Sequence, residues 1–145
     1  MKKFAANVLL IDDEQQFLKV LEERLETRGL KVNTATSGED ALTLVDDRNF
    51  DAIVLDLAMP GIDGIETLRL LKEKNPDLEI IMLTGHATVQ KGIEAMKLGA
   101  EDFLEKPVDL SVLLERISEA KNKRILILEE KSQEAIKKII KSKAW

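Results

Sequence analysis

The stretch Val8-Leu9-Leu10-Ile11-Asp12-Asp13-Glu14 decides the fold of this 145-residue chain. Four consecutive aliphatic residues stop abruptly at three acids. A short apolar run without polar alternation suits a strand buried on both faces, the habit of a parallel sheet. The figure returns twice. Ala52-Ile53-Val54-Leu55 runs into Asp56, and Ile80-Ile81-Met82-Leu83 runs into Thr84-Gly85. Lys31 to Ala35 and Asp102 to Glu105 are two weaker strand candidates, the second followed by Lys106-Pro107.

Between the strands the apolar period lengthens to that of a helix. From Phe17 the apolar residues fall at 17, 18, 21 and 25, and Gly29 stands where a helix would end left-handed. Ser37 and Asp40 form a capping-box-like start for a helix through Ala41, Leu42 and Leu44–Val45. Pro60-Gly61-Ile62-Asp63-Gly64 reads as a loop, with Asp63 and Glu66 capping a helix that Asn75-Pro76 ends. A fourth helix runs through Ile93, Met96 and Leu98 to Gly99, and Asp109 caps a fifth bearing Leu110, Leu113, Leu114 and Ile117. Five alternating strand–helix units predict an α/β fold, a doubly wound parallel sheet with helices on both faces. In such sheets the ligand site lies beyond the carboxyl ends of the strands. That rule brings Asp12, Asp13, Asp56, Thr84 and Lys106 to one edge.

Composition narrows the setting. The length fits one domain with a short appendage, and 44% apolar residues suffice for one core. No apolar run approaches the ~20 residues that cross a bilayer, and Met1-Lys2-Lys3-Phe4 opens no long apolar secretory region. Without cysteine there is no disulfide framework or thiolate metal site, so a cytoplasmic setting without membrane contact is expected. Net charge divides unevenly, about +5 over residues 121–145 and −10 over residues 1–120. An acidic body is a poor partner for nucleic acid, which demands Lys and Arg. Nucleotide binding is disfavoured too: the first strand ends in Asp12-Asp13-Glu14 rather than a G-x-G-x-x-G turn, and no G-x-x-x-x-G-K-[ST] occurs.

Three gathered carboxylates repel one another unless a cation neutralises them. Magnesium suits that role, because it takes few protein carboxylates and keeps several waters. An ammonium at Lys106 would be a second positive contact for a phosphoryl group, and the Thr84 hydroxyl would donate one hydrogen bond to it. One carboxylate would then be the nucleophile. Each residue alone has a plainer reading: Asp12-Asp13 as a helix start, Lys106 as a surface lysine, Thr84 as a loop hydroxyl, Phe103 as core. For Asp12-Asp13 the presence of Asp56 and Lys106 at other strand ends argues otherwise, and for Lys106 its position before Pro107 does.

The segments VLLIDDE (8–14), IVLDLAMPGIDG (53–64), IIMLTGHA (80–87) and GAEDFLEKP (99–107), in this order and spacing, carry a family resemblance. Across residues 5–120 the chain resembles the receiver domains of two-component response regulators, and among them receivers of the nitrogen-regulator class. The resemblance implies a flavodoxin-like (βα)5 sheet of order 2-1-3-4-5, with residues 121–145 as a helical tail or linker. It implies Asp56 as phosphoacceptor, Mg2+ (or Mn2+) held by Asp13, Asp56 and the Ala58 carbonyl with Asp12 through water, Thr84 as switching hydroxyl, and Lys106 as the family's lysine. Phe103 would be the aromatic that moves inward on activation, and Pro107 would follow a cis peptide. Ala58 and His86 would tune phosphate lifetime with opposing signs, while a solvated loop residue is the plainer reading of His86. The donor would be a sensor histidine kinase or a small acyl phosphate, and the output face the fourth helix, fifth strand and fifth helix.

Several readings stay open. Gly92 inside the fourth helix is either a close-packing position or one that keeps the helix loose. The tail is an extended final helix pairing with a twin or partner, a short separate helix, or a frayed one. Trp145, the only tryptophan, lies in it. The chain is a stand-alone regulator acting through a downstream protein, or the amino-terminal part of a longer transcription regulator that includes an ATPase. A magnesium-dependent phosphatase acting on small molecules is the remote alternative, since no cap insertion interrupts the alternation.

Overall fold

The computed structural model describes residues 5–59, 61–85 and 89–143. The elements follow as β1 (Asn7–Ile11), α1 (Gln15–Thr27), β2 (Lys31–Ala35), α2 (Gly38–Asp47), β3 (Ala52–Leu55), α3 (Gly64–Lys74), β4 (Ile80–Thr84), α4 (Val89–Lys97), β5 (Asp102–Glu105) and α5 (Leu110–Lys143). The five strands are parallel in the order β2-β1-β3-β4-β5, the expected flavodoxin-like arrangement.

Strand periodicity divides the core. Leu9, Ile11, Ile53, Leu55, Ile80 and Met82 face the side covered by α2, α3 and α4. Their neighbours Val8, Leu10, Val54, Ile81 and Leu83 face α1 and α5, through Leu18, Leu21 and Leu25 of the one and Leu113, Leu114 and Ile117 of the other. Every residue of β3 and β4 is buried, which is why these runs show no polar alternation. Burying a Leu or Ile side chain is worth about 1.5–3 kcal/mol, so the two apolar layers fix the register that aligns the strand ends.

Local signals set the turns. Ser37 Oγ accepts from Asp40 N at 3.2 Å and Asp63 Oδ1 from Glu66 N at 2.9 Å, each satisfying an orphan amide at a helix start. Gly99 (φ +102°) takes the left-handed turn that ends α4 against Lys72. The Lys106–Pro107 bond is cis. No helix among the described residues is long and apolar enough to cross a membrane.

The fifth helix continues through the tail as far as Lys143, in place of a short separate helix. It is one unbroken helix of 34 residues, about 50 Å long. Past Ala120 it touches the body mainly through cations. Lys121 and Arg124 donate to the carbonyls of Ala5 and Phe50, Lys123 pairs with Glu101 at 2.7 Å, and Lys131 pairs with Asp77.

Candidate functional site

The carboxyl ends of β1, β3 and β4 and the loop after β5 meet at one edge. Asp12 follows β1, Asp56 follows β3, Thr84 ends β4 and Lys106 follows β5. Carboxylate oxygens of Asp12, Asp13 and Asp56 lie within 4.8 Å of one another. Asp12, Asp56 and Thr84 are buried, while Asp13 and Ala58 are exposed at the rim. The amide of Asp56 donates to the Ile11 carbonyl at 2.9 Å and that of Asp12 to the Ala35 carbonyl at 3.1 Å, so sheet hydrogen bonding holds both aspartates in place.

Lys106 reaches into this group. Its Nζ donates to Asp12 Oδ2 at 2.6 Å and to Glu14 Oε1 at 3.3 Å, and it stands 4.0 Å from the centroid of the Phe17 ring. Burial works against its charge but is outweighed by the Asp12 hydrogen bond and the charges of Asp12 and Asp56, so its pKa is raised. Burial first, and the neighbouring Asp12 second, push the Asp56 carboxyl above the usual carboxylate range. The Lys106 charge, the Thr84 hydroxyl and the Ala58 amide, which donates to the carboxylate, oppose that rise without cancelling it.

Three clustered carboxylates against one ammonium leave negative charge in a partly closed site. The donors are all hard oxygens, a set that fits a divalent cation such as magnesium. Asp12 Oδ1 also accepts from Glu14 N at 2.9 Å, which holds that carboxylate at the start of α1.

Phe103 on β5 is partly buried against the α2–α4 side of the core, next to Gly92. A Cβ on Gly92 would lie 3.9 Å from the Phe103 ring, an ordinary contact, so close packing does not require glycine there. His86 and Trp145 lie outside the described residues.

Sequence reading did not foresee Gly64, Phe17 or Glu14 as parts of this site. Gly64 opens α3 and donates its amide to the Leu57 carbonyl at 2.8 Å. A Cβ there would collide with the Asp56 carbonyl oxygen and stand 2.5 Å from Leu57 Cα. The glycine therefore lets α3 begin directly against the backbone of Asp56. Its only sequence signal was a position eight residues after Asp56, inside a loop.

Comparison with known proteins agrees with this geometry. Residues 8–118 match the response regulator receiver domain family. The C4-dicarboxylate transport transcriptional regulatory protein DctD of Pseudomonas aeruginosa is 41% identical over 125 residues, covering 86% of this chain and 27% of that protein. Transcriptional regulatory protein ZraR of Salmonella typhimurium is 37% identical, covering 79% of this chain and 26% of that one. The chain thus spans about a quarter of the length of these curated relatives. Among solved structures, a receiver domain protein from Clostridium thermocellum superposes with a TM-score of 0.80 at 35% identity, covering 84% of this chain and 98% of that one. NtrX from Brucella abortus superposes with a TM-score of 0.81 at 28% identity, covering 90% of this chain and 30% of that one.

Proposed function

The chain belongs to the response regulator receiver family, with relatives of the nitrogen-regulator class, and on that premise we propose that it is switched by a phosphoryl group carried on Asp56. The observation that carries the proposal is the position of Asp56. It is a buried carboxylate at a strand end, with Asp12 and Asp13 within 4.8 Å and with Thr84 and Lys106 acting on its charge.

A carboxylate oxygen of Asp56 attacks the phosphorus of a phosphohistidine on a sensor kinase. The P–N bond breaks, and the imidazole leaves with its electron pair and takes up a proton. A small acyl phosphate serves as donor in the same way, with its P–O bond breaking and a carboxylate leaving. Later a water attacks the phosphorus, phosphate departs, and the Asp56 carboxylate returns. Asp13, Asp56 and the Ala58 carbonyl would hold Mg2+, with Asp12 acting through water, and Mn2+ can take the same donors. Bound there, the ion would neutralise charge on the transferring oxygens. Lys106 offers those oxygens an ammonium, and Thr84 offers its hydroxyl. The only chemistry proposed is this self-directed transfer and its reversal by water.

Signalling follows from redirecting Thr84. Its hydrogen bond now serves the Asp56 carboxyl. Phosphorylation would draw it to a phosphoryl oxygen, vacate space for Phe103, and remodel the face of α4, β5 and α5. Ile93 and Met96 on α4 are about half exposed and offer an apolar output surface to a downstream protein. A second copy could pair at this face or along the α5 extension, where Ile125, Leu128, Ile136 and Ile139 are 40–56% exposed.

A second reading is favoured by one observation. Because the chain covers only 27% of a transcriptional regulator 41% identical to it, it would serve as the amino-terminal receiver of a longer regulator, with the α5 extension as its linker.

Labelling tests the acceptor. Asp56→Asn should abolish magnesium-dependent incorporation of phosphate from acetyl phosphate. Full stoichiometry in that variant would place the acceptor elsewhere.

A further inference from the structure

The contact between Phe17 and Lys106 has no place in the scheme above. The Lys106 side chain is 13% exposed, so its ammonium sits at the edge of solvent with choices of direction. Asp12 draws it inward and is itself 4% exposed, whereas Glu14 draws it outward and is 65% exposed. The ammonium lies nearer the inward partner, at 2.6 Å from Asp12 against 3.3 Å from Glu14, and the Phe17 ring supports that position. It lies beneath the ammonium at 4.0 Å, while its own body packs against the apolar core that α1 and α5 share. A ring fixed against that core is a rigid platform, and its face attracts a cation more strongly as water is excluded.

We propose that Phe17 is a positioning residue for Lys106. Its ring face keeps the ammonium beside Asp12 and Asp56, and so sets how often the lysine is in place when a phosphoryl donor arrives. The inference rests on Asp56 being the phosphoacceptor. An ammonium has three donors, and Asp12 and Glu14 occupy two of them. Exchange of the longer, solvent-facing Glu14 bond for one to a phosphoryl oxygen would leave the inward pair with Asp12 intact. A leucine at position 17 would keep the apolar packing but remove the π face, leaving the lysine to divide its time between Asp12 and the solvated Glu14.

The test uses acetyl phosphate, a donor too small to depend on a protein docking surface near α1. In the unphosphorylated protein the Lys106 ε-methylene protons should be shifted upfield by the ring current. Phe17→Leu should abolish that shift and slow labelling about 3- to 10-fold. Phe17→Tyr and Phe17→Trp should keep both shift and rate near native. In a Lys106→Met background, Phe17→Leu should cause no further slowing, because the ring acts only through the lysine. The proposal is overturned if the native protein lacks the upfield shift, or if Phe17→Leu labels at the native rate. It is equally overturned if the aromatic variants are as slow as leucine, or if the two substitutions slow labelling independently. Should Phe17→Leu unfold, the native shift together with the Tyr and Trp variants still decides it. Labelling of Asp56→Asn would instead defeat the acceptor reading, and the lysine proton shift would still report on the ring contact.

Discussion

Glu79 is the most informative residue to perturb outside the site. It precedes β4 at the amino-terminal edge of the sheet and is 3% exposed. Its Oε2 lacks a hydrogen bond and Lys123 Nζ stands 4.0 Å away, while the carboxyl is hydrogen-bonded to Glu101. Burial first and Glu101 second push its pKa up to about 7, against the opposing charges of Lys123 and Lys72. In the unfolded chain the same carboxyl titrates near 4.5. The folded value is the higher one, so the stability Glu79 contributes is fully present below pH 4.5 and is lost as pH rises through 7. A gap of roughly 2.5 pKa units at about 1.4 kcal/mol each puts the loss at about 3 kcal/mol.

Glu79→Gln removes that loss, because an amide stays neutral and can still donate to Glu101. The variant should match the native protein at pH 4 and exceed it by about 3 kcal/mol at pH 8. Urea unfolding followed by circular dichroism at the two pH values measures the difference. Glu101 does not confuse the window. The hydrogen bonds from Glu79 and Lys123 outweigh its burial and lower its pKa, so its contribution changes only below the ordinary carboxylate range. An equal effect of the substitution at both pH values would show that Glu79 is ionised throughout, and the reasoning would fail.

Two glycines give predictions of opposite sign. Gly64→Ala drives a methyl group into the Asp56 carbonyl and Leu57. It should cost about 1–3 kcal/mol in urea unfolding and slow acetyl phosphate labelling by displacing the Asp56 backbone. Gly92→Ala meets nothing nearer than 3.9 Å among the described residues and should stabilise the protein by about 1 kcal/mol, read as a higher urea midpoint.

The sequence discloses the sheet because its strands are buried on both faces. Runs such as 52–55 and 80–83 need no partner to be recognised, and the acids that end them mark one edge. Asp12, Asp13 and Asp56 were therefore visible from local pattern. Lys106 was legible by the same strand-end rule, as the residue that follows the fifth strand candidate and precedes Pro107, but its bond to Asp12 was not, because that contact spans 94 positions of chain. Phe17 read only as an apolar helix position, for its contact with Lys106 spans 89 positions of chain. Glu79 was invisible for a related reason: its partners Glu101 and Lys123 arrive from the turn before β5 and from α5. The tail left three readings because the charged stretch at 121–124 breaks its apolar period, and the groups that hold it, from Ala5 to Glu101, are remote in sequence.

The uneven charge of the chain has a structural explanation in those contacts. Four of the tail cations, Lys121, Lys123, Arg124 and Lys131, are engaged by the acidic body at the amino-terminal edge of the sheet. A basic stretch in sequence is thus partly an internal counterion for the domain it follows, which leaves less of it for a polyanion. Such pairs hold direction more than they stabilise: Lys123 and Lys131 are 53% and 60% exposed, where ion pairs contribute about 0–1 kcal/mol. The same helix begins three residues after Pro107, beside the lysine that reaches Asp12. One helix therefore joins the acidic site to the opposite edge, anchored in the core by Leu113, Leu114, Ile117 and Ala120 and, beyond them, by the part-buried contacts of Arg124 with the Phe50 carbonyl and Asp51.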